Sequence, residues 1–92
     1  MGKQFQDIGP CELCGLRNAV VPHHVFFGSA NRRKSEEWGM VARLCFECHT
    51  GSNNGVHYNR ANDLMLKERY QRRFEETHSR GLFRTEFGRS YL

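Results

Sequence analysis

A small α+β domain organised around bound metal is what this sequence predicts, and three observations carry the prediction. Two Cys-x-x-Cys pairs, Cys11/Cys14 and Cys45/Cys48, stand 30 residues apart. Two short apolar stretches lead, respectively, into a histidine pair and into the second cysteine pair. A long stretch free of glycine and proline follows them, with apolar residues recurring at helical spacing.

The elements fall in order. Residues 1–9 have no periodicity and read as a tail. Gly9-Pro10-Cys11-Glu12-Leu13-Cys14-Gly15 is a knuckle in which two thiolates three residues apart reach one ion. Ala19-Val20-Val21 reads as a strand running into Pro22, His23 and His24. Residues 28–34, turn-rich and basic, read as a loop, and Ser35-Glu36-Glu37-Trp38 as a single helical turn capped by Ser35 and ended by Gly39. Met40-Val41-Ala42-Arg43-Leu44 is the second strand, delivering the chain to Cys45. Residues 50–55 are polar and flexible. From about Asn59 to Thr77 the spacing of Leu66, Tyr70 and Phe74 predicts a helix, with Asn59 or Asn62 as its cap and Gly81 closing it. His78 reads as a positive charge at the end of that helix. Phe83, Phe87 and Tyr91 suggest that the tail at 82–92 docks on the core, in a form the sequence leaves open. The domain itself is placed at 10–81.

Composition explains why metal is needed. A chain of 92 residues that is 38% hydrophobic buries a thin core, worth roughly 3–5 kcal/mol unless something staples it. Four thiolates in two knuckles satisfy tetrahedral zinc, the expected staple. A redox pair, which would call for a thioredoxin-like frame, and two disulfides are the rivals. No hydrophobic leader and no apolar run of membrane-spanning length are present, so a reducing cytoplasm and no membrane partner are expected. The net charge is +4, and only three of the fourteen basic residues are lysines. Arginine's planar fork suits phosphate, which points toward nucleic acid; a solvated charged surface is the plainer reading.

The histidines add chemistry. Four of five lie between Pro22 and His57. His23 and His24 are adjacent, so in an extended strand they face opposite sides and do different jobs. His49 follows Cys48 directly, and His57 stands just before the long helix.

Cys-x-x-Cys, a His-His at a strand end and Leu-Cys-x-x-Cys-His leading toward a helix together resemble the HNH endonuclease family, particularly the small HNH proteins encoded by phages and prophages. The resemblance covers roughly Cys11 to Phe74. It implies a ββα-metal (His-Me finger) core braced by a structural zinc on Cys11, Cys14, Cys45 and Cys48, with a long C-terminal helix, and hydrolysis of DNA phosphodiesters in a bacterial host cell. It implies His24 as general base and His23 as ligand of a catalytic divalent metal, with His49, His57 or both completing the ligand set and His57 slightly preferred. Two departures stand out. The family's middle Asn position is Met40 here, with Asn31 as a substitute candidate, and a Gly- and Asn-containing insertion follows His49.

Phosphodiester hydrolysis requires a proton acceptor for the attacking water, and neutral imidazole, with an unperturbed pKa of about 6.5, is well placed for that. A divalent cation stabilises the developing charge. A carboxylate-free site leaves Mg²⁺, Mn²⁺, Ni²⁺ and Zn²⁺ all open. Arg32, Arg33 and Lys34, and Arg69, Arg72 and Arg73 on the helix, are candidates for gripping a DNA backbone, with RNA not excluded. Trp38 and the phenylalanines read as core. A non-catalytic zinc module on a degenerate HNH frame, binding nucleic acid or protein, is the rival function. Whether the chain is a monomer or a dimer is left open, as are cleavage specificity and nicking versus double-strand cleavage.

Overall fold

The computed structural model describes residues 9–17, 19–51, 53 and 55–92; the expected tail at 1–9 falls almost wholly outside them. The fold is α+β. Its order is β1 (Val21–His24), α1 (Ser29–Glu37), β2 (Val41–Leu44), a π-helical turn (Glu47–Gly51), α2 (Arg60–Phe74) and α3 (Arg80–Phe87), with β1 and β2 paired as a two-stranded sheet. Among the described residues no helix is long and apolar enough to cross a membrane.

The chain divides into two units, Met1–His23 with Ala42–Asn62, and His24–Val41 with Asp63–Leu92. The first is a unit of turns. Its apolar burial comes from Cys11, Ala42, Leu44, Cys45 and Val56. The first knuckle closes through Cys11 N–H to the Leu16 carbonyl at 2.8 Å and Gly15 N–H to the Cys11 carbonyl at 2.9 Å. Glu12 ties that knuckle to β2: its amide donates to the Arg43 carbonyl at 2.8 Å, and its carboxylate accepts from the Arg43 amide at 3.1 Å. Asn59 is the cap of α2, its side-chain oxygen accepting from the Asn62 amide at 3.0 Å.

The second unit is built on aromatic rings. Leu66, Tyr70 and Phe74 form the buried stripe of α2, as their spacing of four requires. Phe26 packs against Phe83 and Phe87 with ring centroids 5.3 and 4.7 Å away, and Phe74 lies 5.3 Å from Phe83. Trp38 stacks edge-on against Phe74 at 5.1 Å and against His78 at 5.1 Å. His78 therefore packs against rings in the turn beyond α2.

Three sequence expectations are corrected here. Residues 28–34 are not a loop, because α1 starts at Ser29 and carries Arg32, Arg33 and Lys34 in its body. Arginine and lysine are good helix formers, and nothing from 29 to 38 breaks a helix. Ser35 accordingly caps nothing. It is fully buried inside α1, where its hydroxyl donates to the Phe26 carbonyl at 2.7 Å and accepts from the Phe26 amide at 3.1 Å. Gly39 does end this helix, at φ +73°, a left-handed turn that suits glycine.

Gly81, finally, does not close the long helix. That helix stops at Phe74, and Gly81 lies within α3, whose cap Ser79 accepts from the Leu82 amide at 3.0 Å. The form of the tail follows. α3 buries Phe83 and Phe87, and beyond it Gln71 holds the chain end. The fully buried Gln71 amide accepts from the Tyr91 N–H at 2.7 Å and donates to Ser90 Oγ at 3.0 Å.

Candidate metal centres

Cys11 and Cys45 are buried and Cys48 half-buried, while Cys14 reaches the surface. One Sγ from each residue lies within 4.8 Å of the others, and Cys14 Sγ is 3.5 Å from Cys45 Sγ. That distance rules out a bond between those two sulfurs, which would be about 2.05 Å. It suits a tetrahedron of thiolates, whose edges are about 3.8 Å when each sulfur is about 2.3 Å from zinc. All four cysteines are free. The four are placed to hold a metal ion, with the donor set of a structural zinc site.

Electrostatics fit that reading. Burial pushes the Cys11 thiol up, but amides of Cys45, Cys14 and Leu13 outweigh it and bring the group down to about 6. The Leu13 amide lies 3.4 Å from Cys11 Sγ. Cys48 is pushed well up, by burial first and then by the three other sulfurs crowding it. At Cys14 the Leu16 amide pulls downward, yet burial and the neighbouring sulfurs prevail and raise it. Four thiolates this close repel one another, and a divalent cation among them removes that cost.

The second cysteine pair also fixes a histidine. The π-helical turn begins two residues after Cys45, and the His49 amide donates to the Cys45 carbonyl at 2.9 Å. The chain then folds back through the insertion. Val56 N–H donates to the Cys48 carbonyl at 2.8 Å and His57 N–H to the His49 carbonyl at 3.3 Å. Gly51 makes that return close, since a Cβ there would sit 2.5 Å from the Phe46 ring. Residues 52 and 54 of the stretch expected to be flexible lie outside the described residues.

The return brings three histidines together. His49 Nε2 and His57 Nε2 are 3.2 Å apart, and the His23 ring centroid lies 5.1 Å from His49 and 5.3 Å from His57. One ring nitrogen from each lies within 4.8 Å of the other two, an arrangement able to hold a metal ion. Three nitrogens about 2.0–2.1 Å from one ion would be about 3.4 Å apart in tetrahedral geometry. His23 is 3% exposed with its Nε2 buried, His49 half-buried and His57 exposed, so the cluster opens toward solvent at His57. Burial, and then the charge of His57, hold His49 below its usual range and favour the neutral imidazole a metal needs.

His24 ends β1, half-buried, beside a residue the sequence did not single out: its Nε2 is 2.7 Å from Glu36 Oε2. Nothing in the pattern flags Glu36, one of two consecutive exposed glutamates in the helical turn expected at 35–38. Met40, at the position of the family's Asn, has a buried side chain, and its carbonyl accepts from the Val25 amide at 3.0 Å. Asn31 lies within α1 rather than in a loop.

The basic candidates separate. Arg32 and Arg33 are exposed on α1 and enter no ion pair among the described residues, whereas Lys34 pairs with Glu86 at 3.3 Å. Arg72 lies 4.0 Å from Glu68, and Arg73 stands over the Tyr70 ring at 4.6 Å. Arg69, on α2, is half-buried.

No protein-family model, curated protein or solved structure matches the chain.

Proposed function

We propose that this chain is a metal-dependent DNA endonuclease of the HNH type, with β1, β2 and α2 as its ββα-metal core. One observation carries the reading: His23, His49 and His57, far apart in sequence, offer ring nitrogens within 4.8 Å of one another. A pair of histidines is satisfied by one hydrogen bond between them. A third, with one edge of the cluster open, is the ligand count of a catalytic rather than a closed structural site.

A divalent ion on these three nitrogens would supply Lewis-acid stabilisation of the phosphoryl and leaving oxygens. The protein's own part is proton transfer and positioning. His24, the next residue along the chain from His23, takes a proton from the attacking water. The water oxygen bonds to phosphorus as the bond to the 3′-oxygen breaks, and that oxygen leaves to be protonated by solvent. Arg32 and Arg33 are the residues best suited to grip phosphate, since both are exposed and outside any ion pair among the described residues. Lys34, Arg72 and Arg73 already have partners.

The test is plasmid cleavage with Mg²⁺, Mn²⁺ or Ni²⁺. Wild type should cut, and His24→Ala should abolish cutting while keeping zinc content and fold. A wild type that holds zinc and binds DNA but never cuts hands the function to the second reading, a non-catalytic zinc module. One feature favours that reading: Met40 places a buried apolar side chain where the family has an amide.

A further inference from the structure

We infer that Glu36 is the positioning residue for His24, holding its ring so that Nδ1 is the nitrogen left to accept the proton of the attacking water. The inference rests on the endonuclease reading and adds to it a residue and a tautomer.

The geometry starts from the contact. A carboxylate is only an acceptor, so at 2.7 Å the His24 Nε2 must carry the hydrogen and donate it to Glu36 Oε2. In the neutral ring that leaves the lone pair on Nδ1, and which nitrogen acts is set by what the other one bonds. Glu36 thereby selects the tautomer and restrains the rotation of the ring about its own bonds.

The frame around the pair is rigid where it matters. Ser35, the residue before Glu36, is fully buried and both donates to and accepts from the backbone of Phe26, two residues beyond His24. The Met40 amide donates to the Ser35 carbonyl at 2.7 Å, and the Met40 carbonyl accepts from Val25 at 3.0 Å. Two hydrogen bonds therefore tie the last turn of α1 directly to the chain just past β1, and two more do so through Met40. Glu36 and His24 are thus carried on stretches of backbone that these bonds hold together.

The contact is poorly explained as a contribution to stability. The Glu36 side chain is 66% exposed, and ion pairs so open to water contribute little. The His24 side chain is 22% exposed, within reach of a substrate yet shielded enough for its orientation to be kept. A group that orients a catalytic histidine without touching the reacting atoms is expected to matter by about 10–100-fold.

Two readouts test this on the zinc-loaded full chain. Imidazole ¹⁵N spectra should report His24 as the Nε2–H tautomer in wild type and in Glu36→Gln, whose amide oxygen still accepts, and a mixture in Glu36→Ala. In plasmid cleavage Glu36→Ala should lower kcat by about 10–100-fold with KM unchanged, Glu36→Gln should recover most of that loss, and Glu37→Ala should behave as wild type. An Nδ1–H tautomer in wild type, or a Glu36→Ala spectrum identical to wild type, overturns the assignment. So does a Glu37→Ala loss equal to that of Glu36→Ala, which would make the effect one of general charge. A wild type that never cuts, with the tautomer still lost in Glu36→Ala, overturns the endonuclease reading and leaves Glu36 as the residue that sets the ring. A wild type that cuts, with Glu36→Ala cutting equally, does the reverse.

Discussion

The two units of this chain cohere by different means. Among its described residues the cysteine-bearing unit buries Ala42, Leu44 and Val56 beside two cysteines, and no phenylalanine, tyrosine or tryptophan. The other buries four phenylalanines and a tyrosine, with ring centroids 4.7 to 5.3 Å apart at its closest contacts. Apolar burial is worth about 25 cal/mol per Å², so among the described residues the large rings of the second unit make the bigger core and the small side chains of the first a thinner one. The comparison teaches that the helices depend on packing, while the turns holding the histidines would draw their cohesion from the ion their four cysteines are placed to hold.

The largest expected effect separates the units directly. Strong chelation, or Cys11→Ser combined with Cys45→Ser, removes a site of the kind worth on the order of 10 kcal/mol to small zinc domains. Amide signals from residues 42–57 should collapse. Trp38, the chain's single tryptophan, belongs to the aromatic unit and should keep its emission. A red shift of Trp38 in step with the loss of those amides would break the comparison.

Phe83→Ala is the complementary perturbation. This fully buried ring contacts Phe26, Phe74 and Phe87. Its loss should cost about 3–5 kcal/mol in denaturant unfolding followed by Trp38, with zinc stoichiometry unchanged. Reduced zinc content would mean that the two means of cohesion are not separate. Gln71→Ala comes next, since it leaves the Tyr91 amide without its acceptor. A cost of about 1–3 kcal/mol, with faster hydrogen exchange at Tyr91, is expected; unchanged exchange would show that the chain end is held by its aromatic contacts alone.

The smallest effect is at Glu86. The Trp38 indole N–H at 3.1 Å, and then Lys34 at 3.3 Å, hold its carboxyl below the usual range. A depressed folded-state pKa means stability that is complete above the unfolded value of about 4.3 and lost as pH falls through the folded one. Glu86→Gln should therefore be slightly less stable than wild type at pH 7 and indistinguishable from it in acid. A gap that persists in acid would point to packing rather than charge.

How much of this was legible differs by residue. The four cysteines were, because Cys-x-x-Cys spacing is itself the geometry of a ligand pair. The stripe Leu66, Tyr70 and Phe74 was, because a buried helix face writes its period into the chain. His49 and His57 were both visible as candidates, but their meeting depends on a π-helical turn and a backbone return that no local pattern encodes. Only the last turn of α1 is legible, because Arg32, Arg33 and Lys34 read as loop charge, and Ser35 reads as a cap whether it caps or is buried. Glu36 was out of reach, since its role depends on a partner twelve residues away across a turn.

A single peptide bond joins Cys48 to His49, one residue from each ligand set. An ion that fixes the thiolate also fixes the backbone from which the imidazole projects, and it does so through the hydrogen bond from His49 to Cys45. Ordering that stretch costs entropy once, and whichever site is filled first bears the cost. By linkage, the coupling free energy is the same in either direction. With an ion in each, the two ligand sets would act as one thermodynamic system, in which occupancy of the cysteine cluster sets the affinity of the histidine cluster.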